Sequence, residues 1–272
     1  MSTVEFDYAG EWNARVPLVI IGAGAAGLCA ALAAKEAGVE AVLVERDAVP
    51  SGSTALSAGL IPAAGTSFQR AKAIADSPDR LAADIARKAN GDAAPALVEA
   101  VARGSGPAIE WLAERYALPF DLIDNFNYPG HSTFRMHGLP SRSGRELIDR
   151  LRNAAELSEI VVLTRCAAET LFAESDGRIR GVELVRSDGS RERIGCDALI
   201  LACNGYGGNP ELVRRFIPEM ANALYFGHPG NRGDAILWGE RLGAAVACLG
   251  AYQGHGSVAT PKAAAQIPML PN

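Results

Sequence analysis

The 272-residue chain lacks any apolar run near the roughly 20 residues that a membrane-crossing helix requires, so no membrane span is expected. It also lacks blocks of like charge. Its 26 basic and 31 acidic residues are mixed along the chain at a net charge of −5, which offers no general surface for nucleic acid. The first fifteen residues place acids and aromatics ahead of any apolar run, unlike a signal peptide, and a cytoplasmic location is expected. Five cysteines, Cys29, Cys166, Cys196, Cys203 and Cys248, are odd in number and never spaced as Cys-x-x-Cys. That pattern argues for buried thiols in a reducing compartment and against a metal site. No Ser-His-Asp ordering and no carboxylate pair on one helix supports hydrolytic chemistry, and no internal repeat is visible. What is abundant is apolar: 49% hydrophobic against 21% charged residues fits a globular α/β chain able to bury a sizeable core.

The most informative segment runs from Val19 through Ile21 into Gly22-Ala23-Gly24-Ala25-Ala26-Gly27. A β-branched run that enters Gly-x-Gly-x-x-Gly and continues as an alanine-rich helix to about Ala37 predicts a strand, a tight turn and a helix N-terminus suited to a dinucleotide diphosphate. Gly22 permits the turn, Gly24 admits the phosphates, and Gly27 lets the helix pack on the strand. A second strand, over residues 41–45, ends in Glu45, 23 positions after Gly22, the spacing of an acid that binds a ribose 2′-hydroxyl. The spacing thus favours adenosine with a free 2′-hydroxyl, and the neighbouring Arg46, a cation able to accommodate a 2′-phosphate, weakens that step.

A loop of small residues, 50–59, follows and suits close backbone contact with a flat ligand. Three helices are then predicted: one from Ser77-Pro78 to Asn90-Gly91, one opened by Asp92, and one opened by Ser105-Gly106-Pro107 and running through Trp111. Ser143-Gly144-Arg145-Glu146 reads as a capping box for a helix ending near Leu157. Strands are expected over residues 160–164, 169–173, 180–185 and 191–194, with turns at Asp176-Gly177 and Asp188-Gly189. A further strand over 197–202 returns to a parallel sheet and ends in Cys203-Asn204-Gly205. Asn209-Pro210 starts one helix and Gly233-Asp234 another.

Four ordered segments carry a family resemblance: residues 22–27 with Glu45, residues 51–60, residues 198–208, and Gly230-Asn231-Arg232-Gly233-Asp234-Ala235. Together they make the chain similar to the N-terminal part of the fumarate reductase and succinate dehydrogenase flavoprotein superfamily, which includes ketosteroid and tricarballylate dehydrogenases. The resemblance implies an α/β Rossmann-like FAD-binding domain of the two-dinucleotide-binding type, with a parallel sheet, a helical layer, a small antiparallel β insert and the start of a cap domain. It divides the chain into an FAD-binding domain over 1–245 and a truncated start of the cap over 246–272. The related enzymes continue into a cap that supplies a catalytic arginine, for which this chain has no counterpart. A second chain completing the cap would be one way to supply it, a truncated or frame-shifted product is another reading, and impaired catalysis by this chain alone is expected.

By the same resemblance the cofactor is FAD. Its expected contacts are Gly22, Gly24, Ala25, Ala26, Gly27, Glu45, Arg46, Gly52, Ser53, Thr54, Ser57, Ala58, Gly59, Ala167, Ala202, Cys203, Asn204, Gly205, Asn209, Gly233 and Asp234. Ser53 stands where members with covalent flavin have histidine, so attachment is expected to be non-covalent. Leu60, and Cys203-Asn204, also depart from the family pattern. Arg135, His137 and His255 are the candidate catalytic residues, orienting a small anionic or keto substrate. The implied function is oxidation or reduction of a carbon–carbon bond beside a carboxylate or ketone. The alternatives are a non-catalytic dinucleotide-binding module and an NAD-dependent dehydrogenase.

Overall fold

The structure, a computed structural model, describes residues 2–252. In chain order it contains β1 (Thr3–Phe6), β2 (Ala14–Ile21), α1 (Ala25–Glu36), β3 (Ala41–Val44), α2 (Gly52–Leu56), β4 (Ile61–Pro62), α3 (Ser67–Ala71), α4 (Pro78–Lys88), α5 (Pro95–Tyr116), β5 (Asp121–Leu122), β6 (Met136–Gly138) and α6 (Gly144–Leu157). It continues with β7 (Val161–Leu163), β8 (Cys166–Ala173), β9 (Ile179–Arg186), β10 (Arg191–Leu201), α7 (Pro210–Phe216), a 3₁₀ turn (Pro218–Met220) and α8 (Asp234–Arg241). Two compact units share these elements, the first drawing on residues up to Leu56 and from Leu147 to Val246, the second on Ser57–Glu146 with the described residues 247–252. Among the described residues, no helix is long and apolar enough to cross a membrane.

The first unit is built on a sheet of seven strands in the order β1-β8-β9-β10-β2-β3-β7. Four of its neighbour pairs are parallel, and β9 runs antiparallel to both β8 and β10. Strand β2 is apolar on successive residues because both its faces are covered. Val19 and Ile21 face a cluster with Val42, Val44, Leu171, Leu184 and Trp238, while Leu28 and Leu32 of α1 are fully buried in a helix that packs on β2 and β3. Each such leucine stabilises the unit by roughly 1.5–3 kcal/mol. Register then positions the site: Leu201 pairs with Ile21, Ile21 with Val44, and Val44 with Leu163. The strands therefore end level, and Ala202, Gly22 and Glu45 leave the sheet together at its carboxyl edge, where open parallel sheets bind ligands.

Of the strands expected after residue 160, β7 pairs in parallel with β3, while β8, β9 and the first half of β10 form the antiparallel part of the main sheet. The runs predicted over 191–194 and 197–202 are one strand, β10, because its first half pairs with β9 and its second with β2. An edge strand not anticipated from the sequence, β1, pairs in parallel with β8, and the small-residue loop holds the short helix α2.

In the second unit, α3, α4 and α5 accompany a three-stranded antiparallel sheet, β4-β6-β5. The helices predicted at Asp92 and at Ser105 are a single helix, α5, which starts at Pro95 and carries Pro107 in its interior. Interior proline costs about 3 kcal/mol. Packing offsets it, since Ala102, Gly106, Ile109 and Leu112 are buried and Gly106 lies so close to Ala64 that a Cβ there would sit 2.8 Å from its carbonyl oxygen. Helix α4 begins as predicted, with Ser77 capping the Arg80 N–H at 3.2 Å. The capping box forms at Thr66 and Gln69. At the predicted box, Glu146 turns instead to the Ser141 N–H at 2.8 Å.

Candidate cofactor site

The glycine turn between β2 and α1 is shaped by contacts that tolerate no larger residue at two of its three glycines. Gly22 has φ +104° and donates its N–H to the Val44 carbonyl at 2.8 Å, and a Cβ there would lie 2.5 Å from the Ala202 oxygen. A Cβ at Gly27 would lie 1.8 Å from the Gly22 oxygen, which fixes α1 tightly against the turn. Gly24 differs. A Cβ there would meet only the Thr54 hydroxyl, at 3.8 Å, so its missing side chain leaves open space where a ligand's backbone contacts would go.

That space belongs to a cavity of about 450 Å³ at the carboxyl edge of the sheet. Its floor includes Gly22, Gly24, Ala25 and Ala26, where α1 begins without a side-chain cap and without an acid in its first turn. The Ala25 N–H donates to Thr54 at 3.2 Å. With no acid in its first turn, a helix N-terminus beneath an open cradle is a seat for a diphosphate. Beside it, the buried carboxylate of Glu45 accepts the Ala23 N–H at 3.0 Å through Oε2 and the Asp47 N–H at 2.9 Å through Oε1. Both oxygens keep a lone pair for a ligand hydroxyl.

The opposite wall comes from three separated segments: Gly52, Ser53 and Thr54 of α2, the strand-to-turn residues Leu201 to Asn204, and His228, Gly230 and Asn231. Asn204 takes a left-handed backbone (φ +66°) and donates to Ser53 Oγ at 2.8 Å. Asn231 donates to the same oxygen at 3.0 Å and bonds Tyr225 at 2.7 Å. His228 sits 2.8 Å from Asp47, and its Nδ1 accepts the Gly230 N–H at 3.0 Å. Arg46 extends beside the cavity with its guanidinium 2.6 Å from Asp234. Cys166 and Cys203 also face the cavity, and burial pushes both thiols up from the ordinary range. They remain neutral apolar walls at neutral pH.

Twelve sequence-predicted contacts thus converge on one cavity: Gly22, Gly24, Ala25, Ala26, Glu45, Arg46, Gly52, Ser53, Thr54, Ala202, Cys203 and Asn204. Ala167 does not line it, whereas Cys166 and Ala168 do, as alternation along β8 requires. Gly205, Asn209 and Gly233 fasten the surrounding loops. The Gly205 carbonyl accepts the Gly233 N–H at 3.0 Å, and Asn209 caps α7 through the Glu211 and Leu212 N–H groups. Asp234 is buried and reaches the cavity only through Arg46. His228, Gly230 and Asn231 were not among the predicted contacts. Gly230 and Asn231 open the fourth of the family-like segments, residues 230–235, and His228 lies just before it.

Ser57, Ala58 and Gly59 belong to the second unit. There Ser57 accepts the Gly144 N–H at 2.8 Å, Ala58 is buried, and Gly59 (φ +64°) packs on Ser143. Arg135 and His137 also lie in this unit, both fully buried. Arg135 meets Asp76 through two bonds of 2.9 and 3.0 Å and Asp84 at 2.5 Å. His137 bonds Thr66 Oγ1 at 2.9 Å and the Arg135 carbonyl at 2.9 Å, and burial pulls its pKa below the usual histidine range despite those partners. Burial would raise the Asp84 carboxyl, but bonds from Ser132, Arg135 and Arg87 outweigh it and hold the group below the ordinary carboxylate range. Protein groups alone satisfy both predicted catalytic side chains. His255 lies outside the described residues.

Comparison with known proteins places this geometry. The family described as FAD binding domain matches residues 18–261. Urocanate reductase of Eggerthella lenta is 31% identical over 232 residues, which cover 84% of this chain and 38% of that protein. The open conformation of a flavocytochrome c3 fumarate reductase superposes with a TM-score of 0.79 at 27% identity, covering 85% of this chain and 41% of that one. The 3-ketosteroid-Δ4-(5α)-dehydrogenase of Rhodococcus jostii, solved with 4-androstene-3,17-dione, also gives a TM-score of 0.79, over 90% of this chain and 57% of that one, at 21% identity, a likeness of fold. The chain spans about a quarter to a half of the length of the curated relatives it matches.

Proposed function

The chain belongs to the FAD binding domain family, and from that membership we propose that it holds FAD non-covalently for oxidation or reduction of a carbon–carbon bond beside a carboxylate or ketone. The supporting observation is the cavity at the carboxyl edge of the first unit, where Gly24 leaves a cradle over the uncapped start of α1 and Glu45 stands beside it. Residues 1–245 serve as the FAD-binding part, and residues 246–272 begin the substrate cap. Bound FAD supplies the redox centre, accepting or giving a hydride.

The residues have distinct tasks. The α1 N-terminus neutralises the diphosphate, and Glu45 accepts an adenosine ribose hydroxyl through its remaining lone pairs. Asn204 and Asn231 hold Ser53 in place against the cofactor. Ser53 offers a hydroxyl where covalent attachment would need a nucleophilic side chain such as histidine, which supports non-covalent retention. Arg135 and His137, the candidate residues for orienting substrate, are held within the second unit by Asp76, Asp84 and Thr66. The relatives named for fumarate and urocanate favour a small carboxylate substrate, and the ketosteroid enzyme keeps a keto substrate as the second choice. Purified protein should be yellow, with flavin bands in the blue and near ultraviolet. Acid precipitation should release intact FAD to the supernatant. A colourless preparation that does not take up added FAD contradicts the proposal, and flavin that stays with the precipitate contradicts the non-covalent mode.

A further inference from the structure

The sequence contains two Asn-Gly pairs, Asn90-Gly91 and Asn204-Gly205, and the fold treats them differently. Asparagine is thermolabile, and a following glycine makes it more so, because no Cβ hinders the glycine nitrogen as it attacks the asparagine Cγ. Asn90 and Asn204 are both exposed, and both take a left-handed backbone, at φ +51° and +66°. Exposure and backbone region therefore do not separate them. The glycine nitrogens do. The Gly91 N–H donates to the Ala86 carbonyl at 3.3 Å in the turn that ends α4, which holds its nitrogen toward the helix. The Gly205 N–H donates at 2.8 Å to Oδ1 of Asn204 itself. The nucleophile is thereby kept beside the amide it attacks, and nothing lies within 4 Å of a Cβ built at Gly205.

We propose that Asn204 is a self-modification site in the cavity wall: its side-chain amide is lost in the ligand-free chain, bound FAD prevents the loss, and the product holds FAD more weakly. The effect on FAD rests on the FAD-binding reading above, and the amide chemistry does not. Gly205 N bonds to Asn204 Cγ as the Cγ–Nδ2 bond breaks, and the proton of the backbone N–H departs with the amide group as ammonia. Water then adds to a carbonyl of the cyclic imide and opens it to aspartate or isoaspartate. The product changes the wall at one point. Nδ2 of Asn204 donates to Ser53 Oγ at 2.8 Å, beside Asn231, which donates at 3.0 Å. A carboxylate accepts where the amide gave, so it takes the Ser53 proton. It also adds negative charge to a cavity suited to a diphosphate. Asn204 and Ser53 both line that cavity, so a bound cofactor covers the amide and shields it from attack.

The test ages the ligand-free full chain at mildly alkaline pH, where the backbone nitrogen gives up its proton more readily, and follows the peptides holding residues 204 and 90 by mass spectrometry. Asn204 should convert several-fold faster than Asn90. Saturating FAD should slow Asn204 several-fold and leave Asn90 unaffected. The converted protein should bind FAD about tenfold more weakly, as loss of a hydrogen bond to a charged group does, and Asn204→Asp should show that weakening without ageing. Asn204→Gly, which has no amide to lose, should show no decline in affinity with age. Should Asn204→Asp fail to fold, the aged parent, which folds before it is modified, carries the affinity measurement. Conversion of Asn90 as fast as that of Asn204, no protection by FAD, or unchanged affinity of the converted protein overturns the inference. A fresh parent that binds no FAD while Asn204 still outpaces Asn90 overturns the FAD reading and upholds the amide chemistry alone.

Discussion

Glu45 Oε2 accepts the Ala23 N–H at 3.0 Å, so the acid that ends β3 closes the glycine turn that ends β2. The carboxylate therefore has a structural task before any ribose arrives. Glutamine at this position has a single carbonyl oxygen for two N–H donors, Ala23 and Asp47. Glu45→Gln should cost about 1–3 kcal/mol of stability, the penalty for a buried donor left unpaired. FAD affinity should fall as well. Thermal melts with and without FAD check both effects, and a variant as stable as the parent would show that the turn does not depend on the carboxylate.

Arg135 should be irreplaceable for stability. Its removal leaves Asp76, whose side chain is 0% exposed, without its cation, and Asp84, 4% exposed, with Arg87 alone. Arg135→Met is expected to destabilise the chain by roughly 3–5 kcal/mol, the usual consequence of halving a buried ion pair. Denaturant titration measures it. A variant with unchanged stability but lost turnover would instead favour a direct role of Arg135 at the substrate.

Acid should unfold the protein in two stages. The folded His137 has a pKa below its ordinary 6.5, so the unfolded chain binds more protons and stability declines as pH falls through about 6.5. His131, whose pKa burial also lowers, adds to the same stage. Asp84 is depressed below 3.8; its contribution is present above that value and disappears as pH falls beneath it. Melting temperatures across the acid range should show both declines, and His137→Gln should shrink the first while leaving the second.

The parts of this molecule legible in the sequence are those fixed by local backbone chemistry. Gly22, Gly24 and Gly27 announce the βαβ unit because their contacts lie within a few residues or across one strand pair, and Asn209-Pro210 announces α7 because capping is local. Pro107 misled because helix α5 is held by burial against Ala64, which proline's intrinsic preference does not reveal. Arg135 and His137 read as loop residues open to substrate. Arg135 is buried because Asp76 and Asp84, 59 and 51 positions away, supply the compensating charge, and His137 because Thr66, 71 positions away, and the Arg135 carbonyl bond its ring. The contribution of Asn231 was equally hidden, since its partner Ser53 is 178 residues distant.

Replacement of Gly27 and Gly24 should separate folding from binding. Gly27→Ala forces a methyl to 1.8 Å from the Gly22 oxygen and should yield unfolded or aggregated protein. A Cβ at Gly24 meets nothing nearer than 3.8 Å, so Gly24→Val should fold.

Titration of the purified chain and of Gly24→Val with FAD, followed by flavin fluorescence, tests the cofactor site most directly. Saturable binding by the parent and none by a folded Gly24→Val is the expected result. Equal binding by both, or binding by neither, would contradict a diphosphate seated over Gly24 at the start of α1.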